Sequence, residues 1–302
     1  MYFTSLPNHA ISGFDEQRHF EKFKKHNIIF NAKASQSHCA RHVGCLSIKT
    51  VLRGEEWYGI GNNHMAIRPG QFLILNDDQE YSCTVDTPEE TRVLSIFFMK
   101  EFASSVFRDA THSENCLLDN PFETGNKSLE FFQTLYAADS SMQGRLQNLI
   151  HSLEEHGYET DRVNEHLVFL LNDLIRFHKK ELFRADGIDA VKPSTRKEVY
   201  KRICIVKDFL HSNFMEKPNL SDISSAACLS VPQMIRQFKT VYTVTPHQYL
   251  TQIRLANAAR LLKQTSTPIH DITWMCGFEN VSAFCRAFKS AYGVQPGSFR
   301  KE

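Results

Sequence analysis

Eight cysteines occur in the 302 residues, at 39, 45, 83, 116, 204, 228, 276 and 285, but no two form a Cys-x-x-Cys pair. The usual spacings of a structural zinc site or a dithiol redox motif are therefore missing, and buried free thiols are expected instead. There is no His-x-His pair and no nucleophile-elbow or similar serine or cysteine motif, which removes the main sequence support for metal-dependent or nucleophilic chemistry. No apolar run approaches the roughly 20 residues of a membrane span. Met1 to Lys25 is polar and charged, without the apolar core of a signal segment. These absences describe a soluble, reduced, cytoplasmic protein, not an enzyme, with no membrane partner, no cofactor and no metal.

Net charge is also nearly absent, at +1, but the balance conceals a division. From Lys192 onward there are 16 Lys and Arg against 7 Asp and Glu, a net +9; the preceding residues hold 19 against 27, a net −8. A basic segment attached to an acidic one predicts a nucleic-acid partner at the C-terminal end only.

That basic end contains one pattern twice. Arg236-x-Phe238-Lys239-x-x-Tyr242-x-Val244-x-Pro246-x-x-Tyr249 recurs fifty positions later as Arg286-x-Phe288-Lys289-x-x-Tyr292-x-Val294-x-Pro296-x-x-Phe299. Seven positions kept in register mark an internal repeat. Upstream of each copy stands a short apolar helix pattern, at Leu220 to Ala227 and at Ile269 to Met275, here offset by forty-nine. The extra residue of the second copy lies in Cys276-Gly277-Phe278-Glu279-Asn280, where a Gly suits a turn. Each unit reads as helix, tight turn, helix.

Helical periodicity assigns the faces of each second helix. In the first, Val231, Met234, Phe238 and Val241 point inward, leaving Pro232, Gln233, Arg236, Lys239 and Thr240 outside. In the second, Val281, Phe284, Phe288 and Ala291 point inward, with Asn280, Ser282, Ala283, Arg286 and Lys289 outside or at the edge. Ser230 and Asn280 stand where N-caps belong. A helix-turn-helix lays its second helix in the DNA major groove, where Arg suits a guanine edge and Lys suits phosphate. Between the copies, Pro246 to Gln264 forms a 19-residue helix pattern; at about 1.5 Å per residue it spans roughly 28 Å, close to the roughly 34 Å between successive major-groove faces.

These residues resemble the AraC/XylS family of bacterial transcription regulators. The resemblance rests on Pro246-x-x-Tyr249-Leu250-x-x-x-Arg254, Ala258-x-x-Leu261-Leu262, Ile269-x-x-Ile272, Gly277-Phe278, Phe284-x-Arg286-x-Phe288-Lys289, Gly293 and Pro296-x-x-Phe299-Arg300, and covers about the last hundred residues. It implies a two-unit DNA-binding domain joined to a domain that senses a small molecule or mediates dimerisation. Carried over residue by residue, its base-reading positions fall on Pro232, Gln233 and Arg236, and on Val281, Ser282, Cys285 and Arg286. Three positions depart from the family pattern. Thr273 stands where Ala is usual, Cys228 where the first turn usually has Gly or another small residue, and Thr243 where Gly commonly ends the first recognition helix. A β-branched residue suits a left-handed C-cap poorly, so the end of that helix is the least determined part of the repeat.

Ahead of the basic segment, strand patterns run through Ile28 to Phe30, Cys45 to Leu52, Trp57 to Ile60, His64 to Ile67, Phe72 to Leu75, Tyr81 to Val85 and Val93 to Phe98. Turn signals fall at Arg53-Gly54, Gly61-Asn62-Asn63, Arg68-Pro69-Gly70 and Asn76-Asp77-Asp78. Short strands at this spacing predict a small barrel or sandwich, and Ile67 to Asn76 looks like the centre of a cupin barrel, similar to the sensor domains of AraC-type regulators. His38, His42 and His64 are the metal suspects, but Tyr81 takes the place of the late His of metal-binding cupins. Trp57, Tyr58, His64 and Tyr81 are the candidates to line an effector pocket. From Ser128 to Arg184 the period becomes helical, in three stripes: Leu129, Phe132, Leu135 and Tyr136; Leu146, Leu149, Ile150 and Leu153; and Leu167 to Phe183. They either complete the N-terminal core or leave a face for a dimer.

The expected architecture is α+β. Residues 1–184 form a cupin-like effector-binding and dimerisation domain with a β-barrel and helices, 185–195 a linker, and 196–302 an all-α domain of two helix-turn-helix units whose first helix runs from Val199 to Phe214. The expected function is a sequence-specific regulator that binds double-stranded DNA in response to a small-molecule effector, as a homodimer, with RNA polymerase a further candidate partner. Two other readings stand beside it: a cupin enzyme with a DNA-binding appendage, and a constitutive DNA-binding protein whose barrel only dimerises.

Overall fold

The computed structural model describes residues 1–7, 16–112 and 129–301. The chain divides into two compact units, Met1–Phe183 and Arg184–Glu302.

Unit 1 runs β1 (Tyr2–Phe3), α1 (Glu16–Lys25), β2 (Ile28–Gly44), β3 (Ser47–Arg53), β4 (Glu56–Ile60), β5 (Asn63–Ile67), β6 (Gln71–Leu75), β7 (Gln79–Phe97), α2 (Lys100–Thr111), β8 (Leu135–Ala137), α3 (Ser140–His156) and α4 (Thr160–Asp186). The strands form one nearly closed sheet in the order β1-β2-β7-β3-β6-β8, with β4 pairing β5 and β7. All pairings are antiparallel except β1 with β2. β7 is the central strand. It follows β2 along nearly its whole length, while its other edge pairs with β4 at Ser82–Thr84 and with β3 at Arg92–Phe97. The expected strands at Tyr81 to Val85 and Val93 to Phe98 are thus one strand. β2 likewise continues far past Phe30, through a polar stretch with many exposed residues that hydrogen bonding to β7 holds in place.

Strand alternation places successive side chains on opposite faces, and here both faces are buried. Ile48, Phe72, Ile74, Leu94 and Ile96 pack outward against Leu149 of α3 and Leu167, Leu171 and Leu174 of α4. Val51, Tyr58, Met65, Leu73, Leu75 and Val93 fill the interior. The second and third helical stripes therefore complete this core. The first stripe is not a helix: Leu135 and Tyr136 lie in β8, paired to Leu73 and Phe72, and they enter different cores. Adjacent residues buried on opposite faces belong to a strand. Ahead of β8, the Asn76 amide holds Phe131, donating to its carbonyl at 2.9 Å and accepting from its N–H at 2.8 Å. Two expected turns show their strain directly, since Gly54 and Asp78 have φ of 81° and 57°. A Cβ on Gly54 would lie 2.3 Å from Thr91 Oγ1.

Unit 2 is α5 (Pro193–Ser212), α6 (Leu220–Ala226), α7 (Val231–Tyr242), α8 (Pro246–Gln264), α9 (Ile269–Met275), α10 (Val281–Tyr292) and α11 (Pro296–Lys301). α5 starts ahead of the expected Val199, because Pro193 occupies its first turn, where a missing N–H costs nothing. The residues 193–195 assigned to a linker are helical, as are Ala185 and Asp186 in α4. α8 covers the expected 19 residues, opened by a capping box between Thr245 and Gln248. It separates two cores. Ile203, Val206, Leu210, Ile223, Met234 and Phe238 pack on its first half through Leu250 and Ile253. Ile272, Cys276, Phe284 and Phe288 pack on its second half through Leu255, Ala258 and Leu262.

Among the described residues no helix is long and apolar enough to cross a membrane, and no group of three or more His, Cys, Asp or Glu could hold a metal ion. The seven cysteines described are free; Cys39, Cys204 and Cys276 are buried as expected, Cys45, Cys83 and Cys285 are half-buried, and Cys228 is exposed. Cys116 lies outside the described residues.

Candidate nucleic-acid interface and effector pocket

The two helix-turn-helix units repeat in detail. In the first, Ala227 N–H reaches Ile223 O, Cys228 N–H reaches Ser225 O and Leu229 N–H reaches Ser224 O; in the second, Cys276, Gly277 and Phe278 make the equivalent bonds to Ile272, Trp274 and Thr273. These are the helix-ending bonds of a left-handed turn, and Cys228 and Gly277 adopt φ of 51° and 75°. Each unit then closes on an aromatic trio. Phe238, Tyr242 and Tyr249 have ring centroids 4.7–5.3 Å apart, and Phe288, Tyr292 and Phe299 have theirs 4.5–5.3 Å apart. Each trio fixes the far end of a recognition helix against the helix that follows it.

The two halves are also pinned to each other. Arg254 of α8 donates from Nε to Phe214 O at 2.8 Å and from Nη2 to Glu216 O at 2.6 Å, satisfying carbonyls beyond the end of α5. Gly277 lies against the same carbonyls: a Cβ there would be 2.7 Å from Phe214 O and 2.8 Å from Met215 O. The turn of the second unit thus packs on the chain leaving α5.

This scaffold leaves an outward surface on each recognition helix. On α7, Pro232, Arg236 and Lys239 are exposed and Gln233 is half-buried; on α10, Ser282, Arg286 and Lys289 are exposed, as is the capping Asn280. Val281, Ala283 and Cys285 are half-buried at the edge. Among the described residues, none of Arg236, Lys239, Arg286 and Lys289 makes an ion pair, so all four cations are free to meet an anionic partner. Met234, Phe238, Phe284 and Phe288 point inward as expected. Ala291 does not: it is exposed, because the stripe on α10 ends at Phe288 and Tyr292 takes over the contact with Phe299.

The caps differ between the copies. Asn280 accepts from Ala283 N–H at 2.8 Å, while Ser230 sits at the N-cap position without a side-chain bond. Thr243 does end α7, and it does so in the left-handed region at φ 66°, matching Gly293 at φ 79°. Thr273 is fully buried and disposes of its hydroxyl by donating to Ile269 O at 2.8 Å.

In unit 1 a cavity of about 60 Å³ opens inside the barrel. Tyr58 and Tyr81 line it; Trp57 and His64 do not. Trp57 turns outward and donates from Nε1 to Glu55 at 3.1 Å, and His64 is exposed on the adjacent strand. Of the three His residues named as metal suspects, only His42 reaches this cavity. Two charged residues that the sequence reading missed dominate its chemistry. Lys49 is 2% exposed and Glu56 4% exposed. Lys49 Nζ lies 3.4 Å from the centroid of the Phe97 ring and 5.3 Å from that of Tyr81, and the Tyr58 hydroxyl hydrogen-bonds Glu56. Burial holds the Lys49 ammonium below its usual range and raises the Glu56 carboxyl above its own. The available signal was parity: Lys49 shares a strand face with Val51, which is a core position.

A barrel with a polar internal cavity, joined to paired recognition helices with free outward cations, defines a ligand-responsive DNA-binding regulator. The match to family models agrees. A family model described as an AraC-like ligand binding domain matches residues 31–171, and one described as a helix-turn-helix domain matches residues 223–302. The chain belongs to the AraC-type transcription regulators. It is 24% identical to "Probable transcriptional regulator LumQ" of Photobacterium leiognathi over 82% of this chain and 86% of that one. It is 37% identical to the HTH-type transcriptional regulator MtrA of Neisseria gonorrhoeae over 28% of each chain. Among solved structures, an AraC-type transcriptional regulator from Chromobacterium violaceum is 27% identical, with a TM-score of 0.32 over 33% of this chain and 89% of that chain.

Proposed function

We propose that the protein seats α7 and α10 in successive major grooves on one face of a DNA duplex, and that a small molecule bound in the barrel changes that affinity. The observation that carries the DNA reading is the matched pair of exposed, unpaired arginines, Arg236 and Arg286, each two residues before the buried Phe that anchors its helix. A planar guanidinium at that position can bond both acceptors of a guanine edge. Pro232, Gln233, Val281, Ser282 and Cys285 would border the same base edges. Lys239 and Lys289 stand in the last turn of each helix, where the chain leaves the groove and phosphate is the nearer partner.

In this reading the protein is not an enzyme and acts in the cytoplasm as a homodimer, with RNA polymerase a candidate contact. Phe169 and Phe183, both exposed on α4, support the dimer.

Titrating the full chain against a selected operator and its single-base variants, at several salt concentrations, tests the assignment. Arg236→Ala or Arg286→Ala should cost about 1–3 kcal/mol and relax base preference in one half of the site. Lys239→Ala or Lys289→Ala should weaken all sequences equally and lower the salt slope by about one unit each. If both Arg variants lose affinity with base preference unchanged, these residues do not read bases. If only Arg236→Ala behaves as expected, the second unit is a backbone clamp.

A further inference from the structure

The barrel cavity is lined by two residues of opposite charge that form no ion pair with each other. Lys49 and Glu56 are both buried and both line it, yet among the described residues no carboxylate lies within ion-pair distance of Lys49 Nζ. The ammonium rests instead on the faces of Phe97 and Tyr81. On the other side, Oε2 of Glu56 is buried with no hydrogen-bond partner. Burying charge that is short of partners is costly; Lys49 has no carboxylate beside it, Glu56 has the Tyr58 hydroxyl but leaves Oε2 unbonded, and the two border one cavity without forming a salt bridge. The remaining wall is largely apolar, with Phe23, Phe30 and Phe97 on it.

We infer that the effector is a small zwitterion of the amino-acid class, its carboxylate on Lys49, its ammonium on Glu56 and an apolar side chain against the phenylalanines. The inference rests on the reading of the barrel as the effector site. A simple acid would satisfy Lys49 but bring a second negative charge beside Glu56, and a simple amine would do the reverse. A zwitterion supplies both missing partners and leaves the net charge of the cavity unchanged. The aromatic faces beside Lys49 add attraction for cationic groups but provide no acceptor, so they do not replace the carboxylate.

Calorimetric titration of the full chain tests this with L-phenylalanine and L-leucine. The comparison probes are the acids 3-phenylpropionate and 4-methylpentanoate, the amines 2-phenylethylamine and isoamylamine, and the neutral 3-phenylpropanol. At least one amino acid should bind, with its acid and its amine each weaker by about tenfold or more, the loss expected when a buried charged group forfeits its hydrogen bond. Lys49→Met should remove the preference over the amine, and Glu56→Gln the preference over the acid. The double variant Lys49→Met/Glu56→Gln should bind none of the amino acids and melt, ligand-free, at or above the wild-type temperature, since it deletes together two buried charges that form no salt bridge. A double variant that melts well below wild type would make the pair structural and overturn the inference. So would an acid, amine or alcohol that binds as tightly as the amino acids with both single variants indifferent, although the barrel would still be a ligand site. Failure of every probe to bind the wild type would overturn the inference and count against the barrel as a sensor, while DNA titrations of the same samples would leave the reading of unit 2 standing or not on its own.

Discussion

The two helix-turn-helix units meet the same geometric demands with different residues. Each needs a left-handed residue in its tight turn and another at the end of its recognition helix. The second unit uses Gly277 and Gly293, the first Cys228 and Thr243, and all four have positive φ. The second caps its recognition helix through Asn280, whereas Ser230 makes no such bond. A non-Gly residue in the left-handed region costs about 1–2 kcal/mol, so the first unit holds the same shape with more backbone strain and less capping. That it holds the shape at all follows from packing: Phe238, Met234 and the Tyr242–Tyr249 contact fix α7 from inside, and tertiary burial overrides the local preference.

Substitutions that exchange the solutions can break or sharpen this contrast. The largest effect belongs to Gly277→Ala. It adds a Cβ within 2.8 Å of two carbonyls as well as left-handed strain, and should destabilise unit 2 by about 2–4 kcal/mol in chemical denaturation. At the equivalent turn, Cys228→Ala should be nearly neutral, since Cys228 already carries a Cβ. If the two Ala variants are alike, Gly277 is not required by close approach.

Capping comes next. Asn280→Ala should cost about 1 kcal/mol, and Ser230→Ala should stay within about 0.5 kcal/mol of wild type. Equal losses would mean that Ser230 caps α7 in solution, against the geometry described. The smallest expected change is a gain. Thr243→Gly should stabilise by about 0.5–1 kcal/mol, the relief of left-handed strain less the entropy lost by fixing a Gly. A loss would show that the Thr243 side chain contributes more than its backbone costs.

Most of unit 2 was legible in the sequence because the repeat gave every position a partner to check against. Phe238 predicted Phe288, and the 49-residue offset located the turn at Gly277. What was missed there lies at the ends: α5 starts at Pro193, which composition marked as linker, and Ala291 left the inward stripe. Unit 1 was less legible because both sheet faces are buried. Leu135-Tyr136 then reads as part of a helical stripe though it is a strand, and the polar half of β2 shows no alternation since its pairing comes from the backbone. In the pocket, Tyr58 and Tyr81 were found and Trp57 and His64 were not brought in, as alternation along β4 and β5 dictates. Lys49 and Glu56 escaped notice because a charged residue in a strand is ordinarily read as solvent-facing.

In the proposed complex α8 sets a spacing between two recognition helices that fits successive major grooves, about 10 base pairs apart. This spacing is tested most directly by measuring affinity for a selected operator in which 5 or 10 base pairs are inserted between the two half-elements read by one chain. The half-turn insertion should abolish the contribution of one helix, making Arg286→Ala or Arg236→Ala silent on that DNA, because the two grooves then face opposite sides of the duplex. Undiminished affinity with 5 inserted base pairs, and with both arginines still contributing, would contradict the claim.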